Sequence, residues 1–250
     1  MDQEFAQRYG DLAEWHWWFR GRTKIVESVL RRHLPDRSSR DILSVGAGPA
    51  QGLSWLLPFA GRTGTVTGLD SEPAHATPCP REVQFVIGRM EDSAFSDASF
   101  DVVLALDVLE HLDDDLAGLR QAIRMLRPGG LLVITVPAFP FLWGGQDIVN
   151  HHRRRYTKRS LIDLLKRGGL RNFEVTYFNT LLFPAAATIR TARRLCGQGK
   201  RSRSDNEGSQ PGVLNSALSY IFGLERHLIG RVPMPAGVSL MATYHELATM

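Results

Sequence analysis

Through the middle of the chain, apolar runs of five to eight residues alternate with stretches in which apolar side chains recur every three or four positions. Short runs of that length read as buried strands, and the longer recurrence reads as amphipathic helix. Strands are expected over 41–46, 65–70, 83–87, 100–106, 130–136, 172–178 and 238–245. Ile25, Val26, Val29 and Leu30 mark one helix, and Leu116, Leu119, Ile123 and Leu126 mark another. The second is expected to end at Arg127-Pro128-Gly129-Gly130, where proline and glycine stop it. Ser160 with Asp163 reads as a further helix start, and Gly168 and Gly169 as its end. Strands alternating with helices predict a parallel sheet covered on both faces.

Two segments lie outside this alternation. Residues 1–36 contain Trp15, Trp17, Trp18 and Phe19 and are expected to form an N-terminal helical lid. Residues 181–235 form an insertion between the sixth and seventh strands: two helical stretches flank the polar "GQGKRSRSDNEGSQPG", which reads as a mobile loop. In the second stretch Leu214, Leu218, Ile221 and Leu228 fall roughly on one stripe, expected to bury against the core or a partner subunit.

At 250 residues the chain has room for one large domain. Its two cysteines, Cys79 and Cys196, offer neither a disulfide framework nor a zinc-type spacing, and no metal ligand set is read from the sequence. The polar, acidic start is unlike a signal peptide, and no apolar stretch is long enough to span a bilayer, so a cytoplasmic protein is expected. The net charge of +4 is matched by residues 181–212 alone, where Arg190, Arg193, Arg194, Lys200, Arg201 and Arg203 face only Asp205 and Glu207. So local an excess argues against a nucleic-acid partner. It leaves open either weak contact with an anionic membrane or a solvated helix end.

Candidate chemistry starts at "ILSVGAGPAQG", residues 42–52, an apolar run that breaks into glycine. Gly46, Gly48 and Gly52 are spaced GxGxxxG, unlike the GxGxxG of dinucleotide sites. The next strand ends at Asp70, whose acceptor-only carboxylate suits the two hydroxyls of a ribose. Then follow "GRMEDSAFSDASFDVVLALDVLEHLDDD" and "LRPGGLLVITVP". In this order and spacing, residues 40–137 resemble the class I S-adenosylmethionine-dependent methyltransferases, in the branch acting on small molecules.

The resemblance implies a Rossmann-like α/β fold with a seven-stranded, mostly parallel sheet, S-adenosylmethionine as cofactor, and a methyltransferase domain over residues 37–250. It implies that Gly46, Ala47 and Gly48 pass under the cofactor's amino-acid part and that Asp70 and Ser71 hold its ribose. Met90 would meet the adenine through its backbone N–H, and Leu106 and Asp107 would floor the methionine end. Two positions depart from the family. Ser44 replaces the acidic residue that usually opens the glycine turn, and Arg89 replaces the aspartate before the adenine contact. Arginine has no acceptor, so Glu91 or Asp92 is expected to take the adenine amino group.

For the reaction itself, His111 lies just beyond the fourth strand and is read as a general base, or as a histidine that packs on the cofactor or ties a loop. "WGGQDIVNHHRRRYTKRSL" brings His151, His152 and Tyr156 after the fifth strand, with His151 expected at the acceptor and Tyr156 either catalytic or a loop anchor. The N-terminal tryptophans are expected to close over the cofactor or to pack on the sheet, and Arg22 to meet the cofactor's carboxylate. O-methylation is favoured over N- or C-methylation. The alternatives are an NAD-dependent oxidoreductase and a non-catalytic, membrane-associated protein of the same fold.

Overall fold

The computed structural model describes residues 12, 15–36, 38–196 and 210–245. Seven strands form one sheet: β1 (Ile42–Val45), β2 (Val66–Asp70), β3 (Val83–Ile87), β4 (Phe100–Leu106), β5 (Leu126–Pro137), β6 (Phe173–Phe178) and β7 (Ser239–His245). Their order is β3-β2-β1-β4-β5-β7-β6, with β7 alone antiparallel to its neighbours. This is the Rossmann-like sheet expected from the sequence. β1 is buried along its whole length and β4 along most of it, as suits central parallel strands covered on both faces.

Six strands fall within one residue of expectation, and β5 starts earlier. Leu126 does not close a helix; it pairs with Phe100, and the register then jumps to Val102 opposite Leu131. Pro128 explains the difference, because it biases Arg127 toward extended backbone and, with the two glycines, forms the bulge that rejoins the sheet.

Among the described residues, five helices of eight or more residues accompany the sheet: α1 (Trp17–His33), α2 (Asp115–Met125), α3 (Lys158–Arg167), α4 (Phe183–Leu195) and α5 (Val213–Leu224). Asp114 caps α2 by accepting the N–H groups of Leu116 and Ala117 at 3.0 and 2.9 Å. The N-cap of α3 is Thr157 rather than Ser160. Ser160 lies three positions inside and returns a hydrogen bond to the Thr157 N–H, a capping box with serine in the usual glutamate place.

The insertion packs differently from its apolar stripe. The buried residues of α5 are Asn215, Ser219, Phe222 and Gly223, while Leu214, Ile221 and Leu228 are exposed. The N-terminal segment decides this face: Asn215 accepts the Trp17 N–H and donates to the Trp15 carbonyl, and Trp18 stacks on Phe222 at 5.3 Å. Gly21 permits the approach, since a Cβ there would lie 2.1 Å from the Phe222 ring. Of the loop expected over 197–212, residues 197–209 lie outside the described residues. Among those described, no helix is long and apolar enough to cross a membrane.

Candidate functional site

Strand order reverses between β1 and β4, and in open α/β sheets the crevice beyond the carboxyl ends at that point is where ligands bind. A cavity of about 430 Å³ lies there, within the size range of small-molecule sites. Gly46 and Gly48 adopt φ of 55° and 64°, so the turn after β1 presents bare backbone, and a Cβ on Gly46 would meet Val108 at 2.7 Å. Ala47 completes this wall.

Asp70, at the end of β2, ties the turn down. Its carboxylate accepts the Gly48 N–H at 2.8 Å and the Glu72 N–H at 2.9 Å, and His75 lies 3.1 Å away. Burial works to raise the Asp70 pKa, but the bonds from His75 and the two N–H groups outweigh it and hold the carboxyl below its ordinary range. Asp70 therefore stays ionised at the rim, with Ser71 beside it.

Met90 and Leu106 supply apolar wall, and Glu91 lines the cavity while its carboxylate takes a 2.9 Å ion pair from exposed Arg89. Asp92 does not line it. Exposed glycine backbone, an ionised carboxylate and an apolar slot fit a nucleoside carrying an amino-acid tail.

Asp107 ends β4 at φ 60°, and Phe139 and Asn179, just past β5 and β6, share that left-handed backbone at 58° and 56°. Such conformations are uncommon for residues with a Cβ and are held here by the surrounding sheet. Arg22 donates to Asp107 at 2.5 Å, and Thr135 donates to its other oxygen at 3.0 Å. Arg22 is the residue of α1 that reaches the crevice.

A second cavity of about 330 Å³ opens behind this point, largely apolar and walled by Trp17, Trp18, Phe19 and Ile189. Of the tryptophans expected to close over the cofactor, Trp17 and Trp18 thus face this space instead, because their packing on Phe222 turns them away from the glycine side. Arg190 and Arg193 of α4 stand at its edge. Asp107, His111 and Asn150 line both cavities.

His111 is half-buried, and desolvation, with the nearby His152, pulls its pKa down to about 4. It is neutral at physiological pH, an acceptor of hydrogen bonds and a weak base. His151, at φ 55°, is exposed and lines the first cavity. Tyr156 is not brought to either cavity. It is buried with its hydroxyl donating to Asp115 at 2.8 Å, and burial and that carboxylate both raise its pKa.

Residues not singled out from the sequence complete the site. Asp147 is fully buried and accepts from Arg155 Nε at 2.7 Å and the Gly144 N–H at 2.8 Å, with His152 Nδ1 at 2.9 Å. Burial opposes its charge, but His152 and Arg155 outweigh that and hold the pKa at about 2. Glu110 is fully buried, and neither of its carboxyl oxygens has a hydrogen-bond partner among the described residues. Burial and then the charge of Asp107 push its pKa well up. Adjacent histidines at 151 and 152 gave no signal of which turns inward; the backbone at His151 makes it His152.

Residues 43–134 match a family model described as a methyltransferase domain. A "Probable S-adenosylmethionine-dependent methyltransferase" of Mycolicibacterium smegmatis is 31% identical over 169 residues, covering 66% of this chain and 62% of that protein. A ubiquinone biosynthesis O-methyltransferase of Azorhizobium caulinodans is 32% identical over 157 residues, 55% of this chain and 61% of that one. The chain thus spans about three-fifths of the length of these curated relatives. In fold it is similar to an S-adenosylmethionine-dependent methyltransferase of Archaeoglobus fulgidus, with TM-score 0.54 and 17% identity over 97% of this chain and 99% of that one. It is similar also to Haemonchus contortus phosphoethanolamine N-methyltransferase 2, solved with S-adenosylmethionine, with TM-score 0.54 and 18% identity over 88% of this chain and 52% of that one. Sheet order, crevice and relatives agree: residues 43–134 form a methyltransferase domain of the class I S-adenosylmethionine-dependent kind, whose cofactor the crevice fits.

Proposed function

We propose that the protein methylates a small-molecule acceptor seated in the second cavity, with oxygen the favoured acceptor atom over nitrogen or carbon. The observation that carries this reading is the wall shared by the two cavities, where Asp107, His111 and Asn150 face both. S-adenosylmethionine, when bound, supplies an electrophilic methyl group, so the chain's task is chiefly alignment.

In this reading Gly46, Ala47 and Gly48 carry the amino-acid part, Asp70 and Ser71 the ribose, and Met90 with Glu91 the adenine. Leu106, Asp107 and Arg22 border the sulfur end, Arg22 acting through its pair with Asp107 as well as on a carboxylate. Neutral His111 accepts a hydrogen bond from the acceptor's hydroxyl and orients its oxygen, and His151 borders the entrance. The apolar ring wall and the arginines of α4 suit an acceptor with an apolar body and an anionic group.

The proposal extends to weak contact with an anionic membrane. No residue of α4 is buried; Ile189 and Leu195 are exposed on the helix that carries Arg190, Arg193 and Arg194, and Val213 and Leu214 are exposed on α5. It includes a cytoplasmic location, which the free, exposed thiols of Cys79 and Cys196 favour.

Calorimetry with S-adenosylhomocysteine, with NAD as control, tests the crevice. Transfer of labelled methyl to small apolar hydroxy acids tests the activity. Cofactor binding without any acceptor-dependent transfer across such a panel would favour a non-catalytic protein of this fold.

A further inference from the structure

We propose that Glu110, His111 and His152 bind one divalent first-row metal ion, of the nitrogen- and oxygen-seeking kind that zinc represents, at the wall between the two cavities. One donor atom from each of the three residues lies within 4.8 Å of the others. The elements that bring them together are the turn after β4, which carries Glu110 and His111, and the segment after β5, which carries His152. The Arg153 N–H donating to the Glu110 carbonyl at 2.8 Å ties the two.

Three observations point to a cation. Glu110 buries both carboxyl oxygens without a hydrogen-bond partner among the described residues, an arrangement that costs free energy unless something is bound there. His152 presents Nδ1 to Asp147 at 2.9 Å and Nε2 toward Glu110 at 4.0 Å. A carboxylate on the far nitrogen fixes the tautomer that leaves Nε2 with a free lone pair, the support that metal-binding imidazoles commonly have. The His111 ring stands nearly perpendicular to that of His152, with centroids 4.7 Å apart, so both imidazoles converge on the Glu110 carboxyl.

Two imidazoles and one carboxylate suit zinc, cobalt or iron(II) better than magnesium or calcium. Ligand bonds of about 2.0–2.2 Å require donors about 3.4 Å apart, so the Glu110–His152 gap would close by about half an ångström. The nearby guanidinium groups are already engaged, Arg155 with Asp147 and Arg22 with Asp107. Three protein ligands leave further positions open to the cavities.

The consequence rests on the methyltransferase reading, with the ion taking over from the His111 lone pair the task of orienting the acceptor oxygen. An acceptor hydroxyl taking an open position would release its proton to solvent water while its oxygen keeps the O–H bonding pair and donates a lone pair to the ion. That would supply an activation that alignment of the acceptor does not.

The experiment uses the full chain with Cys79→Ser and Cys196→Ser, so that the exposed thiols do not compete, stripped with chelator and dialysed. Zinc(II) is titrated by calorimetry, and cobalt(II) by its visible absorption. The expected result is one equivalent bound, with affinity at least thirtyfold weaker in Glu110→Gln and in His152→Ala. S-adenosylhomocysteine binding measured on the same variants reports an intact crevice, since neither residue lines it. No stoichiometric binding by the parent chain, or unchanged affinity in both folded variants, would overturn the site. Failure of the chain to bind S-adenosylhomocysteine would instead count against the methyltransferase reading and leave the metal titration to be judged by itself.

Discussion

Gly48 donates its backbone N–H to the carboxylate of Asp70 at 2.8 Å, so one side chain both shapes the glycine turn and presents an anion at the cofactor rim. Asp70→Ala removes the acceptor from the turn together with the ribose contact. Two hydrogen bonds to a charged group are worth about 3 kcal/mol together at the low end, which predicts roughly a hundredfold weaker binding of S-adenosylhomocysteine. Calorimetry checks it, and unchanged affinity would contradict the assignment of Asp70 to the ribose.

Asp147 is the anion that Arg155 needs, because that guanidinium is buried with its Nη1 spent on the Ala138 carbonyl. Asp147→Asn leaves a buried positive charge without a counter-ion. A loss of about 3 kcal/mol of folding stability is expected by urea denaturation. A loss under about 1 kcal/mol would mean that Arg155 finds water or another carboxylate.

Tyr156 anchors α2 to the segment after β5 through Asp115 and faces neither cavity. Tyr156→Phe should cost about 1 kcal/mol of stability and change kcat less than threefold. A hundredfold fall in kcat with the fold intact would restore a catalytic role for the hydroxyl.

His16 caps α1 by accepting the Trp18 N–H, and burial holds its pKa at about 4, below the ordinary 6.5. A histidine so depressed binds its proton more readily in the unfolded chain. Its contribution is therefore fully present above pH 6.5 and is lost as pH falls toward 4. His16→Asn keeps a cap acceptor and removes the titration. Between pH 7 and pH 4 the parent should lose on the order of 3 kcal/mol relative to the variant, as read from urea midpoints. Glu110 and Glu225, whose raised values act in the opposite direction, are common to both proteins and cancel in the difference. Parallel pH profiles would show that His16 titrates normally.

Cosedimentation with vesicles containing phosphatidylglycerol, against phosphatidylcholine alone, examines the exposed face of α4. Binding is expected only to the anionic vesicles and should weaken with salt and with Arg193→Glu plus Arg194→Glu. Equal, low sedimentation with both vesicle types would mark the face as solvated.

Apolar periodicity located every strand of the sheet, whereas the glycine turn, Asp70, Met90 and Asp107 were legible as one crevice through the resemblance to the methyltransferase family, whose motifs fall at or just beyond the strand ends. Where a polar residue did the packing, the pattern misled: Asn215 is inside and Leu214 outside because of the N-terminal helix, nearly two hundred residues away in sequence. The outline of the second cavity was decided by tertiary packing, since its walls come from α1, α4 and the segments after β4, β5 and β6. The order of residues along the chain determined the sheet and the crevice at its reversal, because strand identity and strand ends are local properties of sequence. Only tertiary packing decided which histidine turns inward, which carboxylate is left without a partner and what the tryptophans face, because each depends on contacts between elements far apart in the chain.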